Sequence, residues 1–266
     1  MGQVLQLIAD NIHIVNPVVR DAIETMDPVP IQAIASKCID AGADAIDINP
    51  GPLTRKPETR MTFLVEAVQS VAHVPLLIDT TNPKAMEAGL QASKNPTIIN
   101  GFSLEPHKLE TILPLAKKYN SDIIGYLLYP DSRVPGDAAE RFELAIQIHR
   151  VLQESGIDEH HLIIDPIVVP LSWQNGNRQA MEVMESIRAL PDLLGFPTRV
   201  IAGLSNLTSG FGNRDKKVQM EQAFLPMLVS AGLDMALLNV LHEGTIAVAR
   251  ACKLLIRPGI FSWEEL

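Results

Sequence analysis

Residues 41–49 read Ala-Gly-Ala-Asp-Ala-Ile-Asp-Ile-Asn, and the order of those residue types decides the fold. Gly42 stands where a helix ends in a left-handed residue, Asp44 follows two residues later, and the aliphatic run Ala45 to Ile48 then carries Asp47 and leads to Asn49. The same order returns at Ser155-Gly156, with Asp158 ahead of Leu162 to Ile164, and at Ala231-Gly232, with Asp234 ahead of Met235 to Leu238. Working outward, Val4 to Ile8, Pro75 to Ile78, Thr97 to Ile99, Ile123 to Leu128 and Arg199 to Ala202 complete a set of eight short β-branched or aliphatic runs. Segments of helical periodicity separate them at the ~30-residue spacing of βα units. Asn82-Pro83 reads as an N-cap with proline in the first turn, so a helix is expected to start directly after the third strand.

Eight such cycles, with short connections and no linker rich in Ser, Gly or Pro, predict an α/β fold: a closed (β/α)8 TIM barrel forming a single domain over residues 1–266. The alternative is an open doubly wound sheet, which announces its ligand with a Gly-rich turn after the first strand. After Ile8 this chain has Ala9-Asp10-Asn11-Ile12-His13, with neither a dinucleotide fingerprint nor a Gly-Lys-Ser/Thr phosphate loop.

The composition narrows the function. The chain carries 22 basic and 31 acidic residues, a net charge of −9 that phosphates would repel, and its lysines cluster no further than Lys117-Lys118 and Lys216-Lys217. No nucleic-acid partner is expected. The apolar stretch from Leu225 to Leu241 is interrupted by Gly232 and Asp234, so no membrane span is expected either. Met1-Gly2 is followed by Gln6 where lipidation wants Ser or Thr, and the chain reads as cytoplasmic. Cys38 and Cys252 lie within helical patterns without partners at metal-ligand spacing, and are expected to be buried free thiols. His160-His161 is the one adjacent histidine pair. Neighbouring strand residues face opposite ways, so no metal site is predicted there, and both are read as solvent and packing residues. His13 and His242 fall near the mouth with their roles open. Gly-x-Ser-x-Gly is absent, and Ser209 to Arg214, with Gly210 and Gly212, is expected to form a flexible loop over the mouth.

In such a barrel, ligands sit at the carboxyl ends of the strands. There the chain places Asp47 and Asn49, Asp79, Asn100, Asp165, Asn206 after Gly203-Leu204-Ser205, and Asn239. Singly, each is an ordinary turn or cap residue. Jointly, they form a ring of carboxylates and amides with few cations, suited to a neutral heterocycle that offers paired N–H donors and a carbonyl, such as an amino-pyrimidinone edge.

Asp47-Ile48-Asn49-Pro50-Gly51-Pro52, Asp79-Thr80-Thr81-Asn82, Ile98-Ile99-Asn100, Ile164-Asp165-Pro166 and Gly203-Leu204-Ser205-Asn206 together resemble the pterin-binding methyltransferases that exchange a methyl group between tetrahydrofolate and a corrinoid protein. The resemblance implies a (β/α)8 barrel, a homodimer, tetrahydrofolate or 5-methyltetrahydrofolate as substrate, and a corrinoid (cobalamin) carried by a partner protein that docks on the mouth. It implies that Asp79, Asn100 and Asp165 hold the pterin, that Asn206 reaches N5, that Asp47, Asn49, Gly203 and Ser205 line the pocket, and that Arg214 meets the p-aminobenzoyl-glutamate tail. Asn206 and Asp165 would be the catalytic pair. Two departures stand out: Ala9 to His13 replaces a Gly-Glu-Arg-Ile-Asn common in the family, and Ser209 stands where members serving a corrinoid iron-sulfur protein tend to have Gln.

Two other readings share the pocket. A dihydropteroate synthase, faintly echoed by Pro52-Leu53-Thr54-Arg55-Lys56-Pro57, joins a pterin diphosphate to p-aminobenzoate and needs a Lys after strand 7 and Arg-x-His at strand 8; here stand Asn206 and Asn239-Val240-Leu241-His242. A non-catalytic folate-binding protein would keep the pocket without the chemistry.

Overall fold

Eight parallel strands follow one another around a closed barrel in sequence order. They are β1 (Gln6–His13), β2 (Ala45–Asn49), β3 (Leu76–Asp79), β4 (Thr97–Phe102), β5 (Asp122–Tyr126), β6 (Leu162–Asp165), β7 (Arg199–Gly203) and β8 (Met235–Leu238), with β8 pairing back onto β1. The computed structural model describes residues 4–53 and 55–265; Met1-Gly2 and Thr54 of the sequence readings lie outside them. The (β/α)8 barrel expected from the repeat is the fold.

The first strand is a correction. It was expected to end at Ile8 but runs to His13, because an extra residue is accommodated between Ala9 and Ile12, where the pairing with β2 shifts register. Such a bulge re-aims side chains, and it brings Asp10 and Asn11 into the strand instead of the loop after it. A second shift falls between Asn100 and Phe102, carrying β4 past its expected end at Ile99. Strand β5 stops at Tyr126, short of the expected Leu128.

Among the described residues ten α-helices surround the sheet, because two helices rather than one follow β1 and β4. They are α1 (Pro17–Thr25), α2 (Pro28–Asp40), α3 (Pro57–Gln69), α4 (Pro83–Ala92), α5 (Pro106–Thr111), α6 (Leu113–Tyr119), α7 (Ala138–Glu154), α8 (Gly176–Leu194), α9 (Arg214–Ala231) and α10 (Glu243–Ile256). The first five each open on proline, whose missing N–H is one the first turn would leave unpaired anyway. Asn82 caps α4 as expected, its Oδ1 accepting from the N–H groups of Lys84 at 3.0 Å and Ala85 at 3.3 Å. Gly42, Gly156 and Gly232 all have positive φ after their helices. Among the described residues no helix is long and apolar enough to cross a membrane. Cys38 and Cys252 are buried free thiols between sheet and helices, and burial pushes the Cys38 thiol up to about 12.

Two apolar cores result. The larger fills the space between sheet and helices; the smaller plugs the barrel with one inward residue from every strand: Ile8, Ala45, Leu77, Ile98, Ile124, Ile163, Ile201 and Met235. The aspartates that follow the helix-ending glycines pin the opposite end. Asp44 Oδ2 accepts from Leu7 N at 2.8 Å and Lys253 Nζ at 2.6 Å, Asp234 Oδ2 accepts from Val200 N at 2.8 Å, and Asp158 Oδ1 caps a short 3-10 turn through His160 N at 2.9 Å. His161, read from sequence as a solvent and packing residue, instead joins this end through Asp122, whose carboxylate also accepts from Arg199 Nη1 at 2.7 Å.

Asp234→Ala leaves the Val200 N–H without its carboxylate, and is expected to lower the unfolding free energy in urea by about 1–3 kcal/mol without altering the mouth at the far end of the strands.

Candidate active site

Strand side chains alternate between the two faces of the sheet, so the residue two beyond each plug residue also points into the barrel. Counting two onward gives Asp10, Asp47, Asp79, Asn100, Tyr126, Asp165, Gly203 and Leu237, the next layer toward the mouth. Six of the eight are polar side chains. The pocket floor is thus the last filled layer of the barrel, directly on an apolar plug.

Hydrogen bonds organise this floor. Asn100 sits at its centre: Nδ2 donates to Asp47 Oδ1 at 3.1 Å, and Oδ1 accepts from Tyr126 Oη at 2.6 Å. Those two bonds fix which way the amide faces and leave its second N–H without a partner among the described residues. Asp79 Oδ2 accepts from Asn49 Nδ2 at 2.5 Å, while Asn49 Oδ1 accepts from Gly51 N at 3.1 Å. Asp165 Oδ1 accepts from Ile167 N at 2.8 Å. Each of Asp79 and Asp165 keeps one carboxylate oxygen with no hydrogen-bond partner among the described residues. Asp47 also keeps one oxygen without a hydrogen-bond partner among the described residues; at 2% exposed it is the most buried of the three, and its other oxygen accepts from Asn100.

Burial raises these acids toward neutrality. Asp165 is pushed up to about 7, with the Ile167 N–H and then the Arg141 charge opposing the shift. Asp47 and Asp79 are both raised, first by burial; their mutual repulsion adds to the effect on Asp47, while the bond from Asn49 counteracts it at Asp79. The Tyr126 hydroxyl is raised by burial and by the surrounding carboxylates, so it stays a donor to Asn100.

Beyond β7 the chain turns through a 3-10 segment, Leu204–Thr208, which places Asn206 at the exposed rim and Ser205 beside β1. Gly203 has φ −79°, open to any residue, so the backbone does not demand glycine there. A β-carbon there would sit 2.7 Å from Nδ2 of Asn206, which folds back over it. Next to this rim a cavity of about 470 Å³ opens between β1, β8 and the starts of α9 and α10, lined among others by Asp10, Ser205, Asn206, Arg214, Lys217 and Asn239. Arg214 is the first residue of α9, so the segment ahead of it is shorter than the expected loop by that residue.

Sequence reasoning missed Asp10, Tyr126 and Lys217. Asp10 Oδ2 accepts from Ser205 Oγ at 3.2 Å; burial above all, with repulsion from Glu221, lifts its carboxyl to about 6. The alternation of β1 would have found it had the strand been extended past Ile8, and that of β5 would have found Tyr126. Asn239, by contrast, belongs to the barrel seam: its Oδ1 accepts from Asn11 Nδ2 at 2.7 Å and from Leu241 N at 3.0 Å. His242 caps α10 through Thr245 N at 3.2 Å, and His13 Nδ1 accepts from Val15 N at 3.1 Å while burial lowers its pKa.

The raised acids make a sign-definite prediction. A carboxyl with a folded pKa of about 7 against an ordinary 3.8 favours the ligand-free fold fully below pH 4, and that contribution disappears as the pH climbs through 7. Asp165→Asn removes the charge at nearly constant shape. It is expected to raise the melting temperature at pH 8 by about 3 °C, with the gap to the unsubstituted protein closing at pH 4 in paired scanning-calorimetry runs.

Comparison with known proteins places this geometry. A curated relative, the methylcorrinoid:tetrahydrofolate methyltransferase of Eubacterium limosum, is 26% identical over 237 residues, covering 88% of this chain and 84% of its own. Among solved structures, dihydropteroate synthase from Clostridium difficile, crystallised in the presence of pteroic acid, superposes with a TM-score of 0.72 at 17% identity over 96% of this chain and 98% of its own. Dihydropteroate synthase from Xanthomonas albilineans in complex with 7,8-dihydropteroate gives 0.68 at 16% over 94% and 93%. At that identity the two structures speak for the fold alone. The family model described as pterin binding enzyme matches residues 19–239. That span takes in seven of the eight strands and the whole floor except Asp10, and the chain belongs to the pterin-binding enzyme family.

Proposed function

We propose that this chain is a methyltransferase that moves a methyl group between a corrinoid protein and N5 of tetrahydrofolate. The observation that carries the reading is the pairing of a carboxylate and amide floor with a neutral amide, Asn206, at its rim. Two free carboxylate oxygens, on Asp79 and Asp165, suit the paired N–H donors of an amino-pyrimidinone, and the unused N–H of Asn100 suits a ring acceptor. Asn49 holds Asp79, Asp47 and Tyr126 hold Asn100, and the Ile167 N–H holds Asp165. The Eubacterium relative's name supports the same reaction class.

In the transfer, the N5 lone pair forms the new N–C bond, the cobalt–carbon bond pair stays with the metal of the partner's corrinoid, and N5 gives up its proton; the reverse reaction needs N5 protonated. Asn206 serves either direction, since its amide accepts from N5–H or donates to the lone pair as the charge changes. The floor fixes the ring so that N5 faces the open mouth, where the partner protein docks. Arg214 and the half-buried Lys217 line the adjoining cavity and offer charge to the glutamate carboxylates of the tail. A cytoplasmic homodimer is part of the proposal. A pterin diphosphate, the dihydropteroate synthase substrate, would look for cations at the ends of β7 and β8. Gly203 and Asn206 stand at the first of these and Leu238 and Asn239 at the second.

Mixing the protein anaerobically with methylcobalamin and tetrahydrofolate is expected to produce the cob(I)alamin absorbance. Asn206→Ala should slow that transfer by about 100-fold or more while tetrahydrofolate affinity falls much less. Gly203→Ala, which crowds the Asn206 amide, should slow it in the same sense. Parallel losses of binding and turnover would reduce Asn206 to a pocket wall. Formation of dihydropteroate from a pterin diphosphate and p-aminobenzoate, without any cob(I)alamin, would replace the proposal with the synthase reading.

A further inference from the structure

Arg141, on the inner side of α7, is 0% exposed, and among the described residues no carboxylate lies within ion-pair distance of it. A buried guanidinium without an ion pair is costly unless its donors are satisfied. Its donors meet neutral oxygens. Nε donates to the Pro166 carbonyl at 2.9 Å, Nη1 to the Asp137 carbonyl at 3.1 Å, and Nη2 to Gln179 Oε1 at 2.7 Å. Gln179 is held in turn, donating from Nε2 to the Gly136 carbonyl at 2.7 Å.

The Pro166 carbonyl belongs to the turn that aims Asp165. Ile167 there adopts φ +65°, a left-handed conformation unfavourable for a β-branched residue, and in doing so turns its N–H onto Asp165 Oδ1. The turn is thus held at the Ile167 N–H by the Asp165 carboxylate and at the Pro166 carbonyl by Arg141. The acids facing Arg141 are Glu182 on α8, Asp137 and Glu140 at the start of α7, and Asp165. Glu182 already accepts from Ala138 N and Arg178 Nε, Glu140 from Gly136 N, and Asp137 from Glu140 N. On the pocket side, Asp165 faces Tyr126, near which Asp47 and Asp79 also lie.

We propose that Arg141 is a positioning residue for the pterin site: it clamps the Asp165–Pro166–Ile167 turn through the Pro166 carbonyl and sets a buried positive charge behind Asp165 that favours the anionic form of that carboxyl. The inference rests on the reading of Asp165 as a ring-binding group and assigns a second role to a residue that touches no ligand. Removing the charge takes away a group that opposes the effect of burial on Asp165, so this carboxyl is protonated at higher pH and tetrahydrofolate binding fails earlier as the pH falls.

The test is anaerobic calorimetric titration of tetrahydrofolate from pH 5.5 to 9 with the full chain. Arg141→Met is expected to weaken affinity at pH 7 about tenfold and to move the pH at which binding is half lost upward by about one unit. Arg141→Lys keeps the charge but loses the fork on Pro166, so it should weaken binding several-fold with the midpoint near that of the unsubstituted protein, and it serves where the Met variant does not fold. Gln179→Met, a neighbour that carries no charge, should lower the melting temperature without moving the midpoint. Unaltered affinity in either folded Arg141 variant, or a lowered melting temperature with no midpoint shift in Arg141→Met, would overturn the proposal and leave Arg141 a packing residue. Failure of the unsubstituted chain to bind tetrahydrofolate at any pH would overturn the reading of Asp165 together with it.

Discussion

The two-residue alternation of a β-strand, locked in register by barrel closure, is the constraint from which the site follows. Once Ile8, Ala45, Leu77, Ile98, Ile124, Ile163, Ile201 and Met235 fill the barrel, the next inward positions have no choice but to form the floor of the mouth. The apolar plug seals that floor from below. A group on it can therefore be solvated from one side only, and the energetics of the site derive from this.

One-sided solvation explains why the acids of the floor are all raised and why each is tied to a neutral donor. Burial penalises the anion at Asp47, Asp79 and Asp165, while Asn100, Asn49 and the Ile167 amide each return one hydrogen bond to a carboxylate. The donors available are fewer than the oxygens to be satisfied. Under the proposed function, a ring that brings its own N–H groups makes up the shortfall, which is a physical reason to keep a floor that does not stabilise the ligand-free state.

The two ends of the barrel divide the labour. At the end remote from the mouth, Asp44, Asp122 and Asp234 accept from strand amides, Lys253, His161 and Arg199, so their carboxylates hold the fold. At the mouth, aspartates of the same kind are left partly unsatisfied. Identical residues are satisfied or left open according to how many donors the surrounding chain supplies.

Much of this was legible in the chain itself. Gly-x-Asp ahead of a strand, the Asn82-Pro83 start and eight aliphatic runs determined the barrel, because each is a local signal set by backbone conformation and side-chain periodicity. Asp47, Asp79, Asn100 and Asp165 were legible for the same reason, lying on or next to short runs whose ends are easy to see. What only the tertiary structure decided depends on register and on partners distant in sequence. The bulge in β1 put Asp10 on the floor, whereas Asn239, equally plausible by position, bonds Asn11 across the closing seam, 228 residues away. Arg141 gave no signal and Tyr126 only its inward place in the alternation of β5, since an arginine on a helix and an aromatic at a strand end acquire meaning only from the Pro166 carbonyl and the Asn100 amide that folding brings to them. Periodicity says which residues can face inward; closure of the barrel says what they face.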